Sequence, residues 1–229
     1  MGKSIKIWTQ VISLITALVF SCSTFSQKDS LLFLALGDSY TIGTSESYPS
    51  CWPVQLQKIL HKKGIHFKTP KIIAGAGWTS KKLLEELSLE APTDSYHMIS
   101  LLIGVNNQYR NQGISAFKKD FSTLLKKSIV LAKNNTSGVF VLSIPDWSVM
   151  PFARYKDKEK IVGELKEYNA IVKREAEKHN VLFIDITKLS RKALFDTSLI
   201  ARDSLHPSRK MYKAWTRKIS KELLKNFHF

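Results

Sequence analysis

The sequence predicts an α/β fold, a three-layer α/β/α sandwich on a parallel five-stranded sheet of flavodoxin-like type. Three features point there. Short, mostly apolar runs recur five times, segments with helical spacing separate them, and glycine, Asp or Asn clusters close several of the runs. Strands covered on both faces read as continuous apolar runs rather than alternating ones, and connections this long suit right-handed crossovers between parallel strands.

The first run, Leu31 to Leu36, stops at Gly37-Asp38-Ser39. Residues 39–53, rich in Ser, Thr, Gly and Pro, read as a loop; Val54 to Lys63 reads as a helix with Leu56, Ile59 and Leu60 inward and Gly64 at its end. The second strand is strongest at Lys71 to Ala74 and runs into Gly75-Ala76-Gly77, after which Ser80 to Leu89 forms a short helix. Met98 to Ile103 is the third strand, followed by Gly104-Val105-Asn106-Asn107 and an amphipathic helix from Ile114 to Lys133, with Phe117, Phe121, Leu124, Leu125 and Ile129 on one face. Val139 to Ile144 is the fourth, closed by Pro145-Asp146. A lid-like loop through Trp147, Pro151 and Phe152 leads to a helix over Asp157 to His179. Val181 to Ile184 is the fifth strand, Lys188 to His206 reads as irregular, and the last helix starts at Pro207 with Met211, Trp215, Ile219 and Leu223 inward.

At 229 residues the chain has room for one ordinary domain. Residues 27–229 are assigned to it and residues 1–26 to a signal peptide. Lys3 and Lys6 precede the uncharged run Ile7 to Phe20 and then small polar residues, the order of a secretory signal. Thr9, Gln10, Ser13 and Thr16 make that run too polar for a membrane span. Val19-Phe20-Ser21-Cys22 resembles a bacterial lipobox, which implies a lipidated Cys22 and membrane attachment; cleavage near Ser26-Gln27 is the alternative. Both routes imply export, to the periplasm, the medium or a membrane anchor. With only Cys22 and Cys51, a disulfide framework is excluded, and Cys51 reads as a packed small hydrophobe. The balance is 35 Lys+Arg against 19 Asp+Glu. These lysines are scattered along helical stretches with no basic-aromatic module, so the surplus reads as solvated surface and not as a nucleic-acid site. A monomer is expected.

Ligands in open parallel sheets sit beyond the carboxyl ends of the strands. In this chain those ends carry Gly37-Asp38-Ser39, Gly75 to Gly77, Gly104 to Asn107 and Pro145-Asp146, so the unusual polar and glycine clusters share one rim. Acyl transfer by Ser39 requires a histidine base and an acid that holds it. His206 precedes Pro207, which disfavours a helical conformation and sets it in an extended turn before the last helix. Asp203 is three residues upstream, within reach of the imidazole, although Asp203 as a helix cap and His206 as a surface turn residue are the bland readings of the same pair. Asp146, also at a strand end, is the competing acid.

Taken in chain order, Gly-Asp-Ser, a glycine after the second strand, Gly-x-Asn-Asn and Asp-x-x-His-Pro resemble the blocks of the SGNH hydrolases, also called the GDSL esterase/lipase family, over nearly all of the chain from Leu31. The resemblance implies a serine esterase with Ser39 as nucleophile, His206 as base and Asp203 as its orienting acid. It implies an oxyanion hole from the Ser39 and Gly77 N–H groups and the Asn106 amide. No HExxH, Walker A or paired CxxC motif occurs, so no metal and no cofactor is expected. LLIGVNNQYR and SIPDW are similar to the lysophospholipase-like or acyl-thioesterase-like branch. Two departures stand out: the Asn usual ahead of the second-block glycine is missing, so Gly77 over Gly75 rests on the Gly-x-Thr continuation, and Asn107 stands where Asp is commoner.

A dinucleotide fold is disfavoured because Ser80 occupies the third glycine position of its fingerprint, and an α/β-hydrolase elbow because Ser39 lies in Gly-Asp-Ser-Tyr-Thr. The alternative to catalysis is an exported lipoprotein that binds a glycan or lipid without turnover. The expected substrate is an extracytoplasmic acyl ester, an acylated glycan or a lysophospholipid. Tyr48, Trp52, Trp147, Phe152 and Tyr155 in the rim loops are the aromatics available to stack on a sugar or receive an acyl chain.

Overall fold

Five short apolar segments pair into one parallel sheet in the order β2-β1-β3-β4-β5, in a computed structural model that describes residues 30–93 and 95–227. The strands are β1 (Phe33–Asp38), β2 (Lys71–Gly75), β3 (Met98–Leu102), β4 (Val139–Leu142) and β5 (Leu182–Ile184). That is the flavodoxin-like strand order, with its switch point between β1 and β3. The predicted leader, with its lipidated Cys22, lies outside the described residues.

Helix α1 (Ser39–Ile42) follows β1 directly, and α2 (Trp52–His61) leads on toward β2. Next come α3 (Ser80–Glu90), α4 (Val105–Tyr109), α5 (Ile114–Leu131), α6 (Lys158–Lys178), α7 (Thr187–Ser190) and α8 (Arg209–Asn226). One face of the sheet is covered by α2 and α8, the other by α3, α5 and α6. β1, β3 and β4 are buried throughout, as strands covered on both faces must be. Phe33, Trp52 and Phe140 fill the first face with ring centroids 6.3–6.5 Å apart. Phe117 meets Tyr168 at 4.7 Å on the other.

The differences from the sequence reading have local causes. Helix α2 starts at Trp52 rather than Val54 because Pro53 sits in its first turn, where a missing N–H costs nothing. Trp52 is therefore wholly buried core and no rim aromatic. The five-residue helix α4 and the four-residue helices α1 and α7 are too short to leave a periodic signal. The segment from Lys188 to His206, expected to be irregular, contains the end of α7 and two 3-10 turns.

Candidate active site

Parallel register sets the rim. Asp38 pairs with Gly75 on β2, and Gly37 pairs with Leu102 on β3, so the chain leaves β1, β2 and β3 at one level. Ser39 is the first residue of α1. The Asp38 carboxylate accepts the Tyr40 N–H at 3.0 Å, while the Gly43 and Thr44 N–H groups both donate to the Ser39 carbonyl at 3.1 Å. The turn is thereby closed around a serine that is almost buried. Glycine is required at position 37, since a Cβ there would lie 2.1 Å from Thr41 Oγ1.

Gly75, which ends β2, and Gly77, which follows it, do different things. A Cβ on Gly75 would lie 2.2 Å from the Trp78 ring, so Gly75 makes room for an indole. Gly77 has φ +75°, a backbone that L side chains rarely adopt, and it lines the cleft that Ser39 also lines. The adjacent asparagines divide similarly. Asn107 is buried; its Oδ1 accepts the Ser80 N–H and its Nδ2 donates to Ser80 Oγ, both at 2.9 Å, which anchors the start of α3. Asn106 faces the cleft, with Nδ2 donating to the Trp78 carbonyl at 2.9 Å and one amide hydrogen left over.

Asp203 and His206 sit on a hairpin closed by the Ile200–Pro207 bridge and the Ala201 N–H to His206 carbonyl bond of 2.8 Å. Asp203 Oδ1 accepts the Leu205 and His206 N–H groups at 3.0 and 2.9 Å. Its Oδ2 lies 2.5 Å from His206 Nδ1 and accepts the Ser45 hydroxyl at 2.5 Å. Partial burial pushes the Asp203 carboxyl up, but these four donors outweigh it and hold the group well below the usual carboxylate range. The competing acid is engaged elsewhere: Asp146 accepts Arg191 Nε at 2.7 Å and the Ser148 N–H and hydroxyl at 3.0 and 2.6 Å.

Ser39, Gly77, Asn106 and His206 thus line one cleft of about 170 Å³, and Asp203 stands behind the histidine. Of the rim aromatics, Trp147 and Phe152 reach the cleft, joined by Tyr109 in a cluster with centroids 5.6–6.2 Å apart. Tyr155 is 84% exposed under the Arg154 guanidinium, and Tyr48 turns its hydroxyl toward the Pro70 carbonyl. The Trp147 indole is fixed from behind: its Nε1 donates to Gln108 Oε1 at 2.9 Å, and Gln108 Nε2 donates to Glu164 Oε2 at 2.6 Å. Tyr109, Gln108 and Ser45 were not singled out from the sequence; proximity of the first two to Asn106 was the only available signal. Cys51 is buried, which raises its thiol pKa, and it carries no chemistry here.

Compared with known proteins, the family model described as GDSL-like Lipase/Acylhydrolase family matches residues 35–214. Among solved structures the chain is similar to the lipase/acylhydrolase from Enterococcus faecalis, with TM-score 0.69 and 17% identity over 86% of this chain and 97% of that one. It is also similar to the psychrotrophic esterase EstA from Pseudoalteromonas sp., in a structure inhibited by monoethylphosphonate, with TM-score 0.65 and 17% identity over 86% and 97%. The acetylxylan esterase Axe2 from Geobacillus stearothermophilus aligns with TM-score 0.64 and 17% identity over 84% and 94%. No curated protein matches the sequence.

Proposed function

Since the chain belongs to the GDSL-like lipase/acylhydrolase family and is a serine hydrolase of ester bonds, we propose that Ser39 is its nucleophile, His206 its general base and acid, and Asp203 the residue that orients His206. One observation carries the reading: the Asp203-held imidazole lines the same small cleft as Ser39.

Ser39 Oγ attacks the ester carbonyl carbon while its proton passes to His206 Nε2. Asp203 remains a carboxylate and stabilises the imidazolium through Nδ1–H, as its depressed pKa favours. The tetrahedral oxyanion accepts from the Ser39 N–H at the start of α1, from the Gly77 N–H and from the spare Asn106 hydrogen. All three donors are fixed before substrate arrives, and loss of one costs on the order of 3 kcal/mol of transition-state stabilisation. Collapse expels the alcohol, which takes the proton from His206, and water then releases the acid from the acyl-enzyme by the same steps.

A cleft of about 170 Å³ walled by Val105, Tyr109, Trp147, Phe152 and Leu205 suits a short acyl group better than a long chain. A dry cavity near 150 Å³ takes one benzene. With export, this favours acylated glycans over lysophospholipids, and the acetylxylan esterase named above supports that choice by analogy of fold. Hydrolysis of p-nitrophenyl acetate by wild type and Ser39→Ala tests the reading. Turnover lost in the variant supports it; an inactive wild type, or an equally active variant, points to a non-catalytic binder or another nucleophile.

A further inference from the structure

The surplus of cations is not spread evenly in its energetic consequences. On α3 and α6 three lysines sit opposite acids one turn away: Lys82 with Glu86, Lys160 with Glu164 and Lys173 with Glu177. The end of α2 and the start of α8, which face each other, differ, although α8 pairs Lys225 with Glu222 farther along. Lys58 and Lys62 are four residues apart along α2 and its end, and Arg209 and Lys213 are four apart on α8, so each pair sets like charges on one helix face. Such like-charge pairs destabilise a helix. Arg209 and Lys210 also occupy the first turn of an 18-residue helix that has no acidic residue there, against the helix dipole.

These five side chains line one groove of about 600 Å³ between the two helices, and no carboxylate is part of its wall. The two acids at its edge are committed: Asp196 to Lys210 at 2.8 Å, and Glu46 to the Arg209 N–H at 2.9 Å. Among the described residues, Lys58, Lys62, Arg209 and Lys213 form no ion pair. The groove also adjoins the chemistry in sequence. His206 lines the catalytic cleft, and Ser208 and Arg209, two and three residues on, line the groove.

We propose that this groove binds an acidic polymer, a glycan carrying repeated carboxylates, and that this polymer bears the ester cleaved at Ser39. The second clause rests on the esterase reading; the first does not. A groove with cations from both helices fits a polyanion, whose binding releases counterions and weakens steeply with salt. A bound polyanion also offsets the like-charge repulsion among these side chains.

Binding is measured on the Ser39→Ala protein, so that turnover plays no part, using polygalacturonate as the probe at low and physiological salt. The triple variant Lys58→Glu, Lys62→Glu, Lys213→Glu is expected to bind at least about tenfold more weakly, with a shallower salt dependence. A Lys→Gln version of the same triple should show an intermediate loss and guards against misfolding. A control triple on α5, Lys118→Glu, Lys119→Glu, Lys126→Glu, changes net charge equally and should bind within about twofold of its parent. Three results overturn the proposal: no binding of polygalacturonate, an equal loss in the α5 control, or binding confined to polyphosphate or to vesicles of anionic lipid. In a Ser39-containing background, p-nitrophenyl acetate hydrolysis should be the same in all these variants. If wild type lacks that activity while the groove triple still abolishes polymer binding, the esterase reading fails and the groove stands.

Discussion

Ser45 donates its hydroxyl to Asp203 Oδ2 at 2.5 Å across 158 positions of sequence, and so ties the loop that follows Ser39 to the loop that carries His206. The next residue repeats the tie, with Glu46 Oε1 accepting the Arg209 N–H. Ser45 shares Oδ2 with His206 Nδ1, so it helps to fix the carboxylate oxygen that faces the imidazole. It does this at φ +67°, a conformation that costs a non-glycine residue energy. Ser45→Gly separates the two contributions. The glycine relieves the backbone and should keep the melting temperature close to wild type, while kcat falls about tenfold, roughly 1.4 kcal/mol, with KM little changed. A Ser45→Gly enzyme with full kcat would make Ser45 a turn residue only.

The two candidate acids predict opposite phenotypes. Asp203→Asn should lower kcat by on the order of 10²–10⁴-fold with little loss of stability, because an amide at that place favours the wrong imidazole tautomer. Asp146→Asn should leave kcat within a fewfold and destabilise by about 1–2 kcal/mol, since it weakens the bond to Arg191. Thermal melts and initial rates on both variants decide between them, and the reverse pattern would transfer the orienting role to Asp146.

Asp38, directly before Ser39, makes stability depend on pH. Burial pushes its carboxyl from 3.8 up to about 7, against the pull of the Tyr40 N–H and its own. In the unfolded chain the proton leaves near the ordinary value, so between about 4 and 7 the folded state holds more protons. The stabilisation is complete below that window, is lost as pH rises through it, and is gone above about 7. Asp38→Asn stays neutral throughout and still accepts from Tyr40. Its melting temperature should match wild type at pH 4 and exceed it at pH 8, whereas parallel curves would show that Asp38 is not the titrating group.

Gln108 holds the cleft wall without lining the cleft. Replacing it by leucine leaves the Trp147 N–H and one Glu164 oxygen without a partner, at a cost of about 1–3 kcal/mol. A loosened indole should raise KM for acetyl esters several-fold and shift the preference toward butyl and hexyl esters. An acyl-length profile identical to wild type would mean that Trp147 is held by its ring contacts alone.

How much of this was readable from the chain follows from the range of each interaction. Strand ends announce themselves, because an apolar run that stops at Gly-Asp-Ser or Gly-x-Asn-Asn leaves a local signal. His206 was legible because Pro207 fixes its backbone. Ser45 was not, since its partner is 158 positions away and nothing near it in sequence demands an acceptor. Gln108 and Tyr109 lie on a helix of five residues, too short for periodicity to reveal which side faces the cleft. Trp52 misled for a related reason: a Pro-containing segment read as loop, and the proline in fact opens a helix whose first residue is core. Lysine spacing was visible throughout, but only the packing of α2 against α8 turns two ordinary helix faces into one cationic groove.

The central claim, that Ser39 forms the covalent acyl-enzyme with His206 as its base, is tested most directly by a fluorophosphonate ester followed by intact mass and peptide mapping. One adduct per chain, on Ser39, formed far more slowly in His206→Ala and absent in Ser39→Ala, is the predicted result. A full adduct in Ser39→Ala, or unmodified protein that still hydrolyses p-nitrophenyl acetate after treatment, would contradict it.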